Sequence, residues 1–359
     1  MYTKVIEMVV NQINMALSYA SNAVLSKARS MYGNCLTEKN YEELISCRNI
    51  PDLASYLKKK TNYTDVLKDI NENNVHRRDI EERLRLKLFL DFEILGRYDI
   101  SVGEHFSEYF ISRTEIEQFM HSLMLISAGR PGERIFPIPD FFYDHTKVDL
   151  RALPLAEDYD TILSAVKSSP YYDILCKFKP KKGELLNITG IETALHNYLY
   201  KVVFNVIDKY IGGEPKKELK SFFNLYIDLS NLVRIVRMKK FYKLSADYMR
   251  SSLIDGGTLK KEKLNSFIET ADNKQMMSDM KQTPMGRKWF SRNLDIIDKV
   301  PRNMRFNWCR HNIRFSVSPP IVLISYIFLK ETEILNIITI IEGIKYKLPP
   351  EEIKKMLIR

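Results

Sequence analysis

Apolar residues at Ile6, Val9, Ile13, Leu17, Ala20 and Val24 recur at steps of three and four, the spacing that lines up side chains on one face of an α-helix. This stripe predicts a long opening helix that ends near Gly33. A second long helix is predicted from Asp79, where Ile80, Leu84, Leu88, Phe92 and Leu95 form the stripe and Glu81 with Arg85 makes an i,i+4 pair of favourable polarity. Similar stripes run over Ile191–Ile207, Leu219–Met238 and Ile334–Ile344, while alternating runs of β type are scarce. The expected fold class is all-α.

The helical pattern also repeats. FISRTEIEQF (Phe110–Phe119) matches FLKETEILNI (Phe328–Ile337) at Phe, Thr, Glu and Ile, and more weakly YIDLSNLVRI (Tyr226–Ile235). KKKTNYTDVL (Lys58–Leu67) resembles VKSSPYYDIL (Val166–Leu175). A capped short helix recurs three times: Leu36-Thr37 with Tyr41 and Leu44, Leu244-Ser245 with Met249 and Leu253, and Leu348-Pro349 with Ile353 and Leu357. Three related helical units are the simplest account. The Gly- and Pro-bearing break Ala128–Pro139, with a weaker one near Lys239–Lys243, sets the expected domains at 1–128, 129–240 and 241–359.

Composition fits long helices, with only 13 Gly and 14 Pro in 359 residues. The longest apolar run, Ile321 to Leu329, is closed by Lys330, Glu331 and Glu333 and falls short of the roughly 20 residues that span a bilayer. The N-terminal residues lack the continuous apolar core of a secretion signal, so the expected location is the cytoplasm. Cys35, Cys47, Cys176 and Cys309 lack metal or disulfide spacing and are expected as buried free thiols. No phosphate-cradling G-x-x-x-x-G-K-[ST] string and no G-x-G-x-x-G fingerprint is present, which argues against autonomous nucleotide hydrolysis and leaves no cofactor expected. The histidines (His76, His105, His121, His145, His196 and His311) never fall at i,i+4 spacing. Asp140, Asp144 and His145 in PDFFYDH have the chemistry of an acid–base trio, although turn formation is the more common use of such a loop.

The charge is more informative. Of a net +10, the segment Arg287–Arg314 carries +6: Arg287, Lys288, Arg292, Lys299, Arg302, Arg305, Arg310 and Arg314 stand against Asp295 and Asp298. Phe306, Cys309 and Ile313 form an apolar stripe on the same expected helix, so the cations project around it toward solvent or an acidic partner. Interleaved with Trp289, Phe306, Trp308 and Phe315, they also fit a nucleic-acid surface, which makes a helical nucleic-acid-binding protein the alternative reading.

The run Tyr19–Leu67 resembles the N-terminal stretch of the C subunit of prokaryotic V-type/A-type rotary ATPases, known as d in eukaryotic vacuolar ATPases. Ala28-Arg29, Leu36-Thr37, Tyr41-Glu42-Glu43-Leu44, Leu53 and Tyr56-Leu57 follow in the family's order. Lys330-Glu331, Glu333-Ile334, Asn336, Ile340, Gly343 and Leu348-Pro349-Pro350-Glu351-Glu352-Ile353 are similar to the family's closing helices, while FFYDHTKVDLRALPLAEDYDTILSAV follows it loosely. The resemblance implies three similar domains in a pseudo-threefold funnel without an active site. It also implies a place between the rotor shaft, made of the D and F subunits, and the membrane proteolipid ring, with no nucleic acid bound and no transmembrane segment. Arg29, Arg302, Arg305, Arg310 and Arg314 are the expected partner-binding residues.

Overall fold

The computed structural model describes residues 22–97, 103–131, 138, 140–181, 183–242, 244–270, 272–283, 287–288 and 298–359. The stripe Ile6–Ala20 lies outside them. All regular structure among the described residues is helical, as the periodicity predicts. In chain order the main helices are α1 (residues 22–33), α2 (Glu38–Ile45), α3 (Ile50–Lys60), α4 (Thr64–Leu67), α5 (Arg77–Gly96), α6 (Gly103–Ser127), α7 (Tyr159–Ala165), α8 (Tyr172–Cys176), α9 (Ile188–Tyr210), α10 (Gly213–Arg237), α11 (Ala246–Ser251), α12 (Lys261–Glu269), α13 (Asn273–Gln282), α14 (Val300–Phe315), α15 (Pro319–Lys345) and α16 (Pro350–Met356). The chain divides into two compact units, one of residues 1–105 with 305–359 and one of 106–304.

In the first unit α15 is the core helix. Pro319 and Pro320 occupy its first turn, where a missing N–H costs no hydrogen bond. Its residues Ile321 to Leu329 are buried all round. The apolar run is therefore a core segment, and no helix among the described residues is long and apolar enough to cross a membrane. Leu44, Leu53, Leu57, Ile80 and Leu84 close over Ile334, Ile337, Ile340 and Ile341 in one cluster. Thr37 starts α2 by accepting from the Asn40 N–H while the Asn40 side chain accepts from the Thr37 N–H.

The second unit packs around aromatic contacts, with Tyr109 against Phe223 at 5.8 Å between centroids and Phe119 against Tyr171 at 5.0 Å. Ser245 caps α11 by accepting from the Tyr248 N–H, as its Leu-Ser signature predicts. Lys239 reaches the carbonyls of Phe267 and Thr270 at the end of α12, where a cation complements the helix dipole.

The repeats recur as matching hydrogen bonds inside each unit. Tyr63 donates its hydroxyl to Glu333 at 2.7 Å in the first unit, and Tyr171 donates to Glu115 at 2.6 Å in the second. These are the residues that the two aligned repeat pairs superpose. Likewise Asn336 pairs with both backbone groups of Ile358, and Asn231 with both of Ile254. That equivalence sets Asn231 against Asn336, so the weak third match Tyr226–Ile235 is out of register by three residues, close to one helical turn. The two spacings, 23 and 22 residues, differ by one. The π-helical stretch Met238–Tyr242 absorbs the extra residue, since a π turn inserts one into an α-helix.

Candidate functional site: an arginine-lined helix face

The basic segment folds into α14, and its side chains separate into two sets. Met304, Cys309 and Ile313 are buried, whereas Arg302, Arg310, His311, Arg314 and Phe315 are exposed. Phe306 and Trp308 are half-buried, and Trp289, Arg292 and Asp295 lie outside the described residues. Arg287 donates to the Gln282 carbonyl at the end of α13, Asp298 pairs with Arg237 at 3.6 Å, and burial pushes the Lys299 ammonium below its usual pKa.

The five expected partner-binding arginines part in the same way. Arg29 is committed inside the first unit: its Nε donates to the Ile313 carbonyl at 3.0 Å and its Nη2 to the Ser316 carbonyl at 2.6 Å. It closes the C-terminal end of α14, where carbonyls have no intrahelical partner. Arg305 turns inward, its side chain 13% exposed, with Glu331 at 3.7 Å and the Phe328 ring beneath its guanidinium at 4.7 Å. Arg302, Arg310 and Arg314 face outward and have no carboxylate within ion-pair distance among the described residues. Arg310 lies over the Phe306 ring at 5.3 Å and donates to Asn307. Arg314 lies 6.0 Å from the Tyr32 ring and reaches the Tyr32 hydroxyl at 3.4 Å.

Position on the helix explains part of this set. A cation in a last turn complements the macrodipole, so Arg314 stabilises α14 whatever it binds. The dipole does not explain the apolar residues beside it. Phe315 is 69% exposed, its ring 5.0 Å from that of His311, and Val317 is 83% exposed. Among the described residues the face thus combines arginines without a carboxylate partner with two protruding apolar side chains, chemistry suited to docking.

Of the acid–base trio, the Asp140 side chain lies outside the described residues. Asp144 and His145 are exposed in the turn after the short helix Asp140–Tyr143, where the His145 N–H donates to the Phe142 carbonyl. Among the described residues no cluster of His, Cys, Asp or Glu could hold a metal ion. Burial holds His196 below its usual pKa against the opposing charge of Glu192, with Arg234 and Arg113 adding to the lowering. The thiols differ from the expectation: only Cys309 is buried, Cys35 and Cys47 are half-buried, and Cys176 on the short α8 is exposed. Burial pushes Cys47 up to about 11 and raises Cys35 and Cys309 further, so none of the three is a ready nucleophile.

A buried polar cluster has no counterpart among the sequence motifs. Lys330 and Glu333, both buried on α15, are 2.7 Å apart, and Glu333 also accepts from Tyr63 and from the Leu36 N–H. Nearby Tyr326 donates to Asp91, which pairs with Lys87 at 3.2 Å. These groups are fully partnered, the arrangement that fixes a unique core packing. The signal that finds them is the repeat, which superposes Tyr63 on Tyr171 and Glu333 on Glu115.

Comparison with known proteins agrees with the sequence resemblance. Residues 24–356 match the ATP synthase (C/AC39) subunit family. The chain is 24% identical over 349 residues to the A-type ATP synthase C subunit of Methanosphaera stadtmanae, covering 93% of this chain and 86% of that protein. It is 22% identical over 345 residues to that of Pyrococcus abyssi, covering 92% and 88%, and 27% identical over 285 residues to that of Methanosarcina barkeri, covering 75% and 70%.

Proposed function

We propose a rotor-adaptor role on one premise: the chain belongs to the ATP synthase (C/AC39) subunit family. In this reading it is a non-catalytic central-stalk subunit. It links the D and F shaft subunits to the membrane proteolipid ring and transmits the torque that couples ATP hydrolysis or synthesis to H⁺ or Na⁺ transport. It is cytoplasmic, held peripherally at the membrane through the complex, and uses no cofactor of its own. The observation that carries the reading is the match over residues 24–356, nearly the whole chain.

The proposal includes three similar helical domains in a funnel. Support comes from three long helices, α6, α10 and α15, that each bury an acid, Glu115, Asp228 and Glu333, bonded to a neighbouring segment of short helices or turns. The expected boundaries at 128 and 240 cut between a long helix and the segment it binds. A torque-bearing part needs stiffness, and partnered buried networks supply it.

Arg302, Arg310 and Arg314 are the docking residues of this proposal, with Arg29 and Arg305 holding α14 in place. Reversing the three to Glu is expected to weaken assembly with ring or shaft, most clearly at low salt where charge is least screened, with helix content unchanged by circular dichroism. Assembly equal to wild type removes this face from the interface.

A further inference from the structure

The adaptor reading says that α14 docks; the end of that helix says what chemistry it docks on. Arg310, His311 and Arg314 are exposed within two turns, and Phe315 and Val317 protrude beside them. Arg29, through its bonds to the carbonyls of Ile313 and Ser316, fixes the turn that carries the two apolar residues. They are therefore presented on a rigid support. We propose that this tip rests on an anionic phospholipid surface, with the guanidinium groups on headgroup phosphates and Phe315 and Val317 entering the acyl boundary.

Three observations favour lipid over other polyanions. Guanidinium forks suit phosphate oxygens, and the outward arginines have no carboxylate competing for them among the described residues. The two apolar residues are strongly exposed and follow Arg310 and Arg314 at the end of the same helix, a combination suited to an interfacial contact. A nucleic-acid surface stacks successive bases on several aromatic faces; at this tip, among the described residues, Phe306 lies beneath Arg310 and Val317 has no ring, which leaves Phe315 alone. The proposal rests on the adaptor reading for its place in the cell, because only a membrane complex brings this tip to a bilayer.

The test is co-flotation of the full purified chain with phosphatidylcholine vesicles containing roughly 30% phosphatidylglycerol, and with pure phosphatidylcholine vesicles, at about 50 and 200 mM salt. Wild type is expected to float with the anionic vesicles only, more weakly at the higher salt. Arg310→Glu with Arg314→Glu is expected to cut partition by about tenfold or more. Phe315→Ser with Val317→Ser is expected to cut it at unchanged charge. Lys261→Glu with Lys274→Glu, exposed elsewhere, matches the charge change and is expected to bind far better than the arginine variant. The proposal is overturned if wild type does not float, if the tip variants bind like wild type, or if the lysine control falls as far. Loss of assembly with rotor subunits in detergent, without any vesicle binding, assigns the tip to a protein partner and also overturns it. Co-purification with shaft and ring subunits is scored separately, so failure to float leaves the adaptor reading standing, and flotation without co-purification removes that reading alone.

Discussion

Lys330 places its ammonium 2.7 Å from the Glu333 carboxylate inside α15, and in the second unit Ser112 takes the lysine's place three residues before Glu115. Two copies of one buried Tyr–Glu bond thus differ in whether a lysine stands beside the carboxylate. In the first unit burial opposes the Lys330 charge, but the adjacent Glu333 reverses the balance and the Lys330 pKa is raised. In the second, Glu115 has the Tyr171 hydroxyl and Thr146 and no cation among its described neighbours.

The difference sets a pH dependence. Burial raises the Glu115 pKa against the lowering effect of its bonds to Thr146 and Tyr171. A carboxyl whose folded pKa lies above its unfolded value stabilises the fold fully below the unfolded value, near 4.3, and loses that contribution as pH rises through the folded value. Glu115→Gln is therefore expected to stabilise the chain at neutral pH, with no gain at about pH 4. Urea melts at the two pH values measure it. A variant less stable than wild type at pH 7 contradicts this.

Removing the cation from the other copy has the opposite sign. Lys330→Met leaves Glu333 buried without its ion-pair partner and is expected to cost about 3 kcal/mol, the scale for breaking a buried pair. Tyr63→Phe removes one donor from the same carboxylate and is expected to cost about 1–3 kcal/mol. Chemical denaturation of both variants gives the comparison, and Lys330→Met costing less than Tyr63→Phe would show that Tyr63 dominates.

Much of this was legible in the sequence. Periodicity finds α5, α9, α10 and α15 because each has a stripe long enough to exclude other periods. The repeats align Tyr63 with Tyr171 on residue identity alone, although not the bond each makes. The third register was illegible because a three-residue slip keeps nearly the same helix face inward, and only the bonds of Asn231 and Asn336 to Ile254 and Ile358 set it. The division of the arginines was hidden for a related reason. Arg305 and Arg302 read alike as cations in a basic run, and only the placement of Glu331 and Phe328 turns one of them inward.

One glycine is fixed by a carboxylate. Gly257 has φ +84°, and a Cβ there would meet Asp228 Oδ1 at 2.0 Å. Its turn delivers the Thr258 and Leu259 N–H groups to that buried carboxylate. Gly257→Ala is expected to cost more than about 2 kcal/mol, through backbone strain and a displaced Asp228. Gly33→Ala, with open space at its Cβ, is the control expected to change stability little. Equal melting midpoints for the two variants would contradict the assignment.

Arg29 is expected to act through α14 rather than through a partner. Arg29→Met frees the carbonyls of Ile313 and Ser316 and is expected to cost about 2 kcal/mol, a partly exposed charged donor losing two acceptors. Amide exchange in residues 310–318 should rise with it. Unchanged exchange there would return Arg29 to the set of surface cations.

The central claim is that this chain works as the adaptor between shaft and ring. The most direct measurement is purification of the tagged chain from native membranes in mild detergent, with its partners identified by mass spectrometry. The account predicts the D and F shaft subunits together with the proteolipid ring in the same complex. Recovery of the chain without either, from membranes whose rotary complex is otherwise intact, would contradict it.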